Sequence, residues 1–292
     1  MNFILNINKP AGWTSFDVVA KLRGILKVKR IGHTGTLDPD ATGVLPICVG
    51  KATKLVELLT ADTKEYAATM KLGITTDTQD ASGSVLETHS TDGVTEDDVR
   101  RVIAGFIGEI QQIPPMYSAV KVDGKRLYEL ARQGKEVERK PRTVSLHNII
   151  IVNINLGAGE IELKIECSKG TYIRTLCADI GEKLGCGAHM KSLVRTRSGS
   201  FKIEQTLTIE DIAEMCKADE LHMVATRMDT SFAEYDCVII AEGDVLRLKN
   251  GRNVKMAGRD DGSRCRIYDE AQNFLAVGTV FDGMLVDIKR FY

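Results

Sequence analysis

Residues 160–167 read Glu-Ile-Glu-Leu-Lys-Ile-Glu-Cys, a strict alternation of charged and apolar side chains. Only an extended strand sends successive side chains to opposite faces, so this segment must be a half-buried strand, apolar face inward. Gly157-Ala158-Gly159 turns the chain into it from the apolar run 146–156, which makes the two a hairpin. Residues 64–72 repeat the alternation, with Tyr66, Ala68, Met70 and Leu72 on one face. A further short strand, Phe3 to Asn8, ends at the turn signal Lys9-Pro10-Ala11-Gly12.

Helical spacing fills the intervals. Ser15 is expected to cap a first helix, with Asp17 in its first turn and Val18, Val19, Leu22, Ile25 and Leu26 on its buried face. The acidic stretch Thr75 to Asp98 reads as loop. Thr95 caps a second helix with the stripe Val99, Val102, Ile103, Phe106, Ile107 and Ile110, stopped by Ile113-Pro114-Pro115. A third buries Ile173, Leu176, Cys177, Ile180 and Leu184 before Gly185, and after Thr208-Ile209-Glu210-Asp211 an acidic helix runs to about Cys216. Residues 116–142 form an insertion with a short helix near Leu127–Gln133. Beyond Glu234, short apolar runs alternate with turn signals such as Glu242-Gly243-Asp244 and Asn250-Gly251, the signature of a small β-barrel or sandwich. The boundary falls near 231–236, giving units of 1–230 and 235–292.

The net charge of −1 conceals an uneven distribution. Residues 75–98 hold seven acids and no Lys or Arg, and 203–236 hold nine acids against two bases. Residues 121–142 carry eight Lys/Arg against four acids, and 164–202 eight against three. Two basic stretches in a near-neutral chain suit a polyanion, although solvated faces without a partner have the same composition. No apolar run approaches the roughly 18 residues of a membrane span. The amino terminus lacks the pattern of a signal peptide, and seven scattered cysteines fit reduced thiols. A cytoplasmic location is expected.

Several chemistries are excluded by their motifs. Gly50-Lys51 is no P-loop, and G-x-S-x-G and H-E-x-x-H do not occur. Cys177, Cys186 and His189 fit no zinc spacing. What remains is Gly32-His33-Thr34-Gly35-Thr36-Leu37-Asp38-Pro39-Asp40-Ala41-Thr42-Gly43. Its three glycines permit close backbone approach to a ligand. Asp38-Pro39 can be an ordinary turn opener. On a glycine-framed loop beside a basic surface, the same carboxylate can instead be a nucleophile or general base acting on a nucleic acid.

Lys9-Pro10-Ala11-Gly12-Trp13-Thr14-Ser15 and the loop through Val44-Leu45-Pro46 resemble the signature of TruB-type tRNA pseudouridine synthases. Lys64-Glu65-Tyr66, Thr76 to Gly83, Pro114 to Ala119 and Lys169 to Leu176 match in order, so the resemblance spans about residues 3–200. The tail resembles a PUA-like RNA-binding domain in texture. The resemblance implies an α+β fold: a mixed, mainly antiparallel sheet flanked by helices, with a small C-terminal β-domain. It implies isomerisation of uridine 55 in the tRNA T loop to pseudouridine, with no cofactor and no metal.

The resemblance also implies roles. Asp38 is the catalytic aspartate, Arg174 pairs with it, and Tyr66 stacks on the target base with its hydroxyl near the departing proton. Leu193 walls the uracil pocket, and His33 fills the space left by the flipped base. Lys9, Lys54, Asp80 and Tyr172 fall at or near the site in substrate-binding or supporting roles, and 116–142 is a thumb that closes on RNA. The T arm of tRNA is the expected partner, with no membrane, no obligate protein partner and a monomeric state. Rivals are an N-glycoside hydrolase using Asp38, a non-catalytic RNA-binding protein, and an RNA-guided or rRNA synthase of the same superfamily.

Overall fold

In the computed structural model, which describes residues 1–60, 63–122 and 124–292, the alternating segments lie side by side in one sheet. The chain begins with β1 (Phe3–Lys9), α1 (Ser15–Leu26), β2 (Ile31–His33), β3 (Thr42–Val49), α2 (Val56–Thr60) and β4 (Lys64–Leu72). It continues through β5 (Ile74–Thr76), β6 (Val85–Thr88), α3 (Glu96–Ala104), β7 (Gly108–Gln112), β8 (Lys121–Val122), β9 (Lys125–Arg126) and α4 (Leu127–Ala131). Then come β10 (Arg142–Asn155), β11 (Glu160–Cys167), α5 (Ile173–Lys183), β12 (Ala188–Ser198), β13 (Phe201–Lys202) and α6 (Ile209–Lys217). The last elements are β14 (Asp236–Ile240), α7 (Glu242–Lys249), β15 (Arg264–Asp269), β16 (Phe274–Phe281) and β17 (Met284–Arg290).

The main sheet runs β1-β3-β12-β4-β11-β10-β7, with β2 also on β3 and β13 on β12. Every ladder in it but one is antiparallel. The exception joins β12 to β3 in parallel over two residue pairs, Val194–Thr42 and Arg195–Gly43. That short join is a seam between two halves, each with its own core. Leu5, Ile7, Leu45 and Ile47 of the first half pack on Val18 and Leu22 of α1 and Ile212 of α6. Met70, Leu163 and Ile165 of the second pack on Ile103 of α3 and Leu176 and Ile180 of α5. Burying each such side chain contributes about 1.5–3 kcal/mol, so each half is held by its helices rather than by the seam. The carboxyl-terminal sheet, β14-β15-β16-β17, buries Leu248 of α7 with Ile267 and Ala276.

Four local expectations are corrected. Thr14, not Ser15, caps α1: its hydroxyl accepts from the Asp17 N–H, and the Asp17 carboxylate accepts from the Thr14 N–H. The second helix stops at Ala104; Gly108, at φ +111°, opens β7, so Ile110 lies in a strand and Ile107 is exposed. The acidic stretch is not all loop, because β5 and β6 pair within it. Glu242-Gly243-Asp244 is the first turn of α7, where acids suit the positive end of a helix. A four-stranded sheet with one helix therefore stands where a barrel or sandwich was expected.

The seam depends on Gly43. Its φ is +97°, and a Cβ there would lie 2.3 Å from the Arg195 carbonyl oxygen. Gly43→Ala is expected to cost at least about 2 kcal/mol in denaturant unfolding, from left-handed strain plus a clash with backbone. A change under about 0.5 kcal/mol, the ordinary range of surface substitutions, would contradict this account of the seam.

Candidate active site

The loop 34–41 leaves β2, crosses the mouth of the seam and returns into β3. Its backbone is held from beneath. The Lys9 ammonium, fully buried, donates to the carbonyls of Pro10 (2.9 Å), Trp13 (2.5 Å) and Pro39 (2.7 Å). Burial lowers that ammonium to about 8. The Ser15 hydroxyl accepts from the Leu37 N–H at 2.9 Å and lies 3.3 Å from the Leu37 carbonyl, and the Gly12 N–H donates to Pro39. These contacts present Asp38 outward, its side chain 36% exposed.

Arg174, in the first turn of α5, meets it from the second half. Nη2 donates to Asp38 Oδ1 at 3.0 Å and Nε lies 2.9 Å from Oδ2, the fork geometry of a bidentate pair. The same guanidinium donates to the carbonyls of Thr78 (3.1 Å) and Tyr117 (2.8 Å) and lies 3.6 Å from an Asp80 oxygen. Asp80 is in turn fixed by the Thr78 hydroxyl (2.7 Å) and by the Ser82 N–H and hydroxyl. The Arg174 side chain is only 5% exposed. Burial raises the Asp38 carboxyl above its usual value, and the Arg174 charge works against that rise.

Tyr66, on β4, is buried, and burial pushes its phenol up. It shares a core cluster with Leu37 of the loop and Leu193 of β12. His33 ends β2 with Nδ1 buried and unpartnered. Burial, reinforced by the nearby Arg195 charge, lowers its pKa, so the ring is neutral at pH 7. Tyr172 caps α5 through its backbone, which exchanges two hydrogen bonds with the Gln112 amide.

The structure thus brings Arg174 against both Asp38 and Asp80, with Tyr66 and Leu193 in the core cluster that Leu37 of the loop enters and His33 at the end of β2, where the loop begins. Two expectations change. Lys9 lies behind the loop, with its donors turned on backbone carbonyls, so it supports the loop and does not face a substrate. Lys54 follows the far end of β3, eight residues or roughly 25 Å of strand from the loop, and donates to the Arg290 carbonyl at 2.8 Å. It joins the carboxyl-terminal sheet to the first half. Sequence reasoning missed Ser15 and Arg195. The Thr14-x-x-Asp17 capping box was a legible signal that freed Ser15 for another task; nothing local marked Arg195. Among the described residues, no group of three or more His, Cys, Asp or Glu is placed to hold a metal ion.

Comparison with known proteins agrees with this geometry. Residues 23–173 match the model of the TruB family pseudouridylate synthase N-terminal domain, and residues 174–232 that of the tRNA pseudouridylate synthase B C-terminal domain. The chain is 48% identical to tRNA pseudouridine synthase B of Clostridium tetani, over 95% of each chain. It is 44% identical to the protein of that name from Bacillus cereus (strain ATCC 10987), over 95% of this chain and 92% of the relative. Among solved structures, the chain in a Cbf5-Nop10-Gar1 complex superposes with a TM-score of 0.76 at 31% identity. One in an H/ACA RNP bound to a substrate RNA containing 2'-deoxyuridine gives 0.73 at 28%. Both alignments cover 99% of this chain and 85% of the other.

The raised Asp38 pKa carries a stability consequence with a definite sign. Ionising a carboxyl whose folded value lies above the ordinary 3.8 penalises the folded state. The penalty is absent below the unfolded pKa and complete above the folded one. Asp38→Asn removes it and leaves an amide oxygen for Arg174. The variant is expected to melt at or above the wild-type temperature at pH 7, with its advantage shrinking towards pH 4. A melting temperature several degrees lower at pH 7 would show that the ion pair outweighs burial.

Proposed function

The chain belongs to the TruB family of pseudouridylate synthases, and from that premise we propose that it isomerises uridine 55 in the T loop of tRNA to pseudouridine. It is an isomerase: the N1–C1′ bond breaks, the uracil turns while held, C5 bonds to C1′ and gives up its hydrogen as a proton, and N1 takes up a proton, so the composition is unchanged. The observation that carries the proposal is the bidentate Asp38–Arg174 pair, whose arginine is buried and whose carboxylate is partly open. The guanidinium keeps the carboxylate aimed, and the open face leaves room for a nucleotide. Asp38 acts there as the nucleophile or base.

The remaining residues divide the work. Tyr66 and Leu193 form apolar walls for a ring that must stay bound after its glycosidic bond is cut. The T-loop uridine is stacked and must be flipped out, at a cost of about a few kcal/mol. Neutral His33 takes the vacated space without bringing a charge into the stack. Asp80 and Tyr172 keep Arg174 and α5 in place rather than touching the base. The basic segment 116–142 closes on phosphates, and its root is tied to the site by the Tyr117 carbonyl. Residues 235–292, with their α7 and four strands, act as a PUA-like RNA contact. No cofactor is needed, since nothing is oxidised and no group is imported.

The tRNA assignment rests on relatives that match over nearly their full length and carry that name. The monomeric state and the independence from protein partners belong to the same proposal, as does a cytoplasmic location; no helix among the described residues is long and apolar enough to cross a membrane. The RNA-guided alternative is tested by giving the purified chain T-arm RNA with no guide or added protein.

Asp38→Asn is expected to bind T-arm RNA within about twofold of wild type and to lose at least a thousandfold in tritium release from uridine labelled at C5. Wild-type protein is expected to yield pseudouridine and no free uracil; free uracil would support the hydrolase instead. If Asp38→Asn binds normally and releases tritium at near the wild-type rate, Asp38 is a turn residue only.

Binding is expected to weaken linearly in log Kd against log salt, because Lys and Arg contacts release counterions. Replacing Lys121, Lys125 and Arg126 with Gln should shallow that slope without lowering the melting temperature, since these strands are exposed. An unchanged slope would remove the thumb from the RNA interface.

A further inference from the structure

Gln112, the last residue of β7, is only 1% exposed, and nothing in the reaction as described uses it. Its backbone is already placed by the β7–β10 ladder, where it lies opposite Arg142. Its amide is turned on a different element. The oxygen accepts from the Tyr172 N–H at 3.0 Å, and the nitrogen donates to the Tyr172 carbonyl at 3.1 Å. Tyr172 is the N-cap of α5, just ahead of Arg174, and its own side chain makes no capping hydrogen bond. An apolar side chain fills a buried strand end without having to satisfy a polar group, so packing alone does not call for an amide there. A carboxamide carries an acceptor and a donor side by side, which matches both backbone groups of one residue.

The same end of β7 is the root of the basic segment 116–142. Further along the chain, the Tyr117 carbonyl accepts from Arg174 Nη2 at 2.8 Å. Between the two contacts lie Pro114 and Pro115, both buried, whose rings fix φ and stiffen the connection. The returning arm of the segment arrives at the same place: Arg139 donates to the Pro114 carbonyl at 3.3 Å, and Arg142 stands opposite Gln112. Residues 112–117 thus grip the start of α5 at both of their ends, at Tyr172 through a side chain and at Arg174 through a carbonyl.

We propose that Gln112 is a positioning residue for Arg174: by pairing with both backbone groups of Tyr172 it locks the first turn of α5 to the root of the thumb, so that one guanidinium reaches Asp38 and the Tyr117 carbonyl together. The inference rests on the pseudouridine synthase assignment. It goes beyond it in naming a residue that touches neither Asp38 nor RNA and in making the start of α5 and the thumb root one rigid unit.

The test is a double-mutant cycle with Gln112→Met and Arg174→Lys, read as single-turnover tritium release with enzyme in excess so that slow variants stay measurable. Met is close to Gln in length and cannot pair with the Tyr172 backbone. Gln112→Met is expected to lower the rate about 10- to 100-fold, the scale of a misplaced group at a reacting centre. T-arm RNA affinity is expected to stay within about twofold, because the exposed basic strands of the thumb are untouched. In the Arg174→Lys background, where a flexible ammonium replaces the fork that has to be aimed, the same substitution is expected to change the rate by less than about twofold. A merely structural role would lower the active fraction alike in both backgrounds. Should Gln112→Met not fold by circular dichroism, the cycle is run with Gln112→Glu, which keeps the acceptor and loses the donor, and is judged by the same criteria. Equal losses in both backgrounds would overturn the inference and leave Gln112 a packing residue. So would a single-variant rate within twofold of wild type, or a loss of RNA affinity as large as the loss of rate. Asp38→Asn run alongside separates the levels. If it still releases tritium, the enzyme assignment itself fails; if it is silent while the cycle is additive, the positioning role of Gln112 alone fails.

Discussion

The pair between Asp38 and Arg174 spans 136 residues of sequence and the seam between two half-sheets. Everything else in the site serves to make that meeting reproducible. Arg174 has four acceptors: the Asp38 carboxylate, two backbone carbonyls and, at the edge of contact, Asp80. Breaking a buried ion pair ordinarily leaves a stranded charge and costs about 3–5 kcal/mol. With three other partners in place, Arg174 does not depend on Asp38 for its position. Asp38 can therefore turn to a nucleotide without collapse of the site behind it.

The loop that carries Asp38 is fixed by a different means. It has no regular hydrogen-bond ladder, so its carbonyls need donors from elsewhere. Lys9 supplies one to Pro39, Arg195 one to Gly35, and Ser15 answers the Leu37 N–H. Two buried cations beneath one loop are costly, and the charge of Lys9 acts on the carboxylate that the loop carries. Lys9 is among the influences that pull the Asp38 pKa back down. In Lys9, the scaffold of the loop and the electrostatics of its reactive group are thus served by one side chain.

Alternation and capping were legible in the sequence wherever one face of an element meets water. The strands 64–72 and 160–167, the Thr95 cap and the Gly185 stop all follow from local rules. The Asp38 loop stood out by its glycines, while the partners of Asp38 came from resemblance, because no local rule links residue 38 to residue 174. Arg195 was invisible for a related reason. A single basic residue in Val194-Arg195-Thr196-Arg197 looks like half of a solvated stripe until the ladder places it opposite Tyr66. Lys54 failed in the other direction: the resemblance put it at or near the site, and the length of β3 carries it away from the loop.

β3 itself shows why the join between the two sheets escaped local reading. Thr-Gly-Val-Leu-Pro-Ile-Cys-Val has no alternation, because both its faces are covered. Leu45, Ile47 and Val49 face the core under α1 and α6. Val44 and Cys48 face a second core with Phe201, Phe232, Val277 and Phe291, the last two from the carboxyl-terminal sheet region. Lys54–Arg290, the Lys289–Glu57 ion pair and the Tyr268 hydroxyl on Asp229 add polar ties across the same boundary. Removing residues 235–292 would therefore strip one face of the strand whose first residues, Thr42 and Gly43, form the seam. The carboxyl-terminal sheet is mechanically part of the site's foundation, so an RNA contact made there bears on a body continuous with the Asp38 loop.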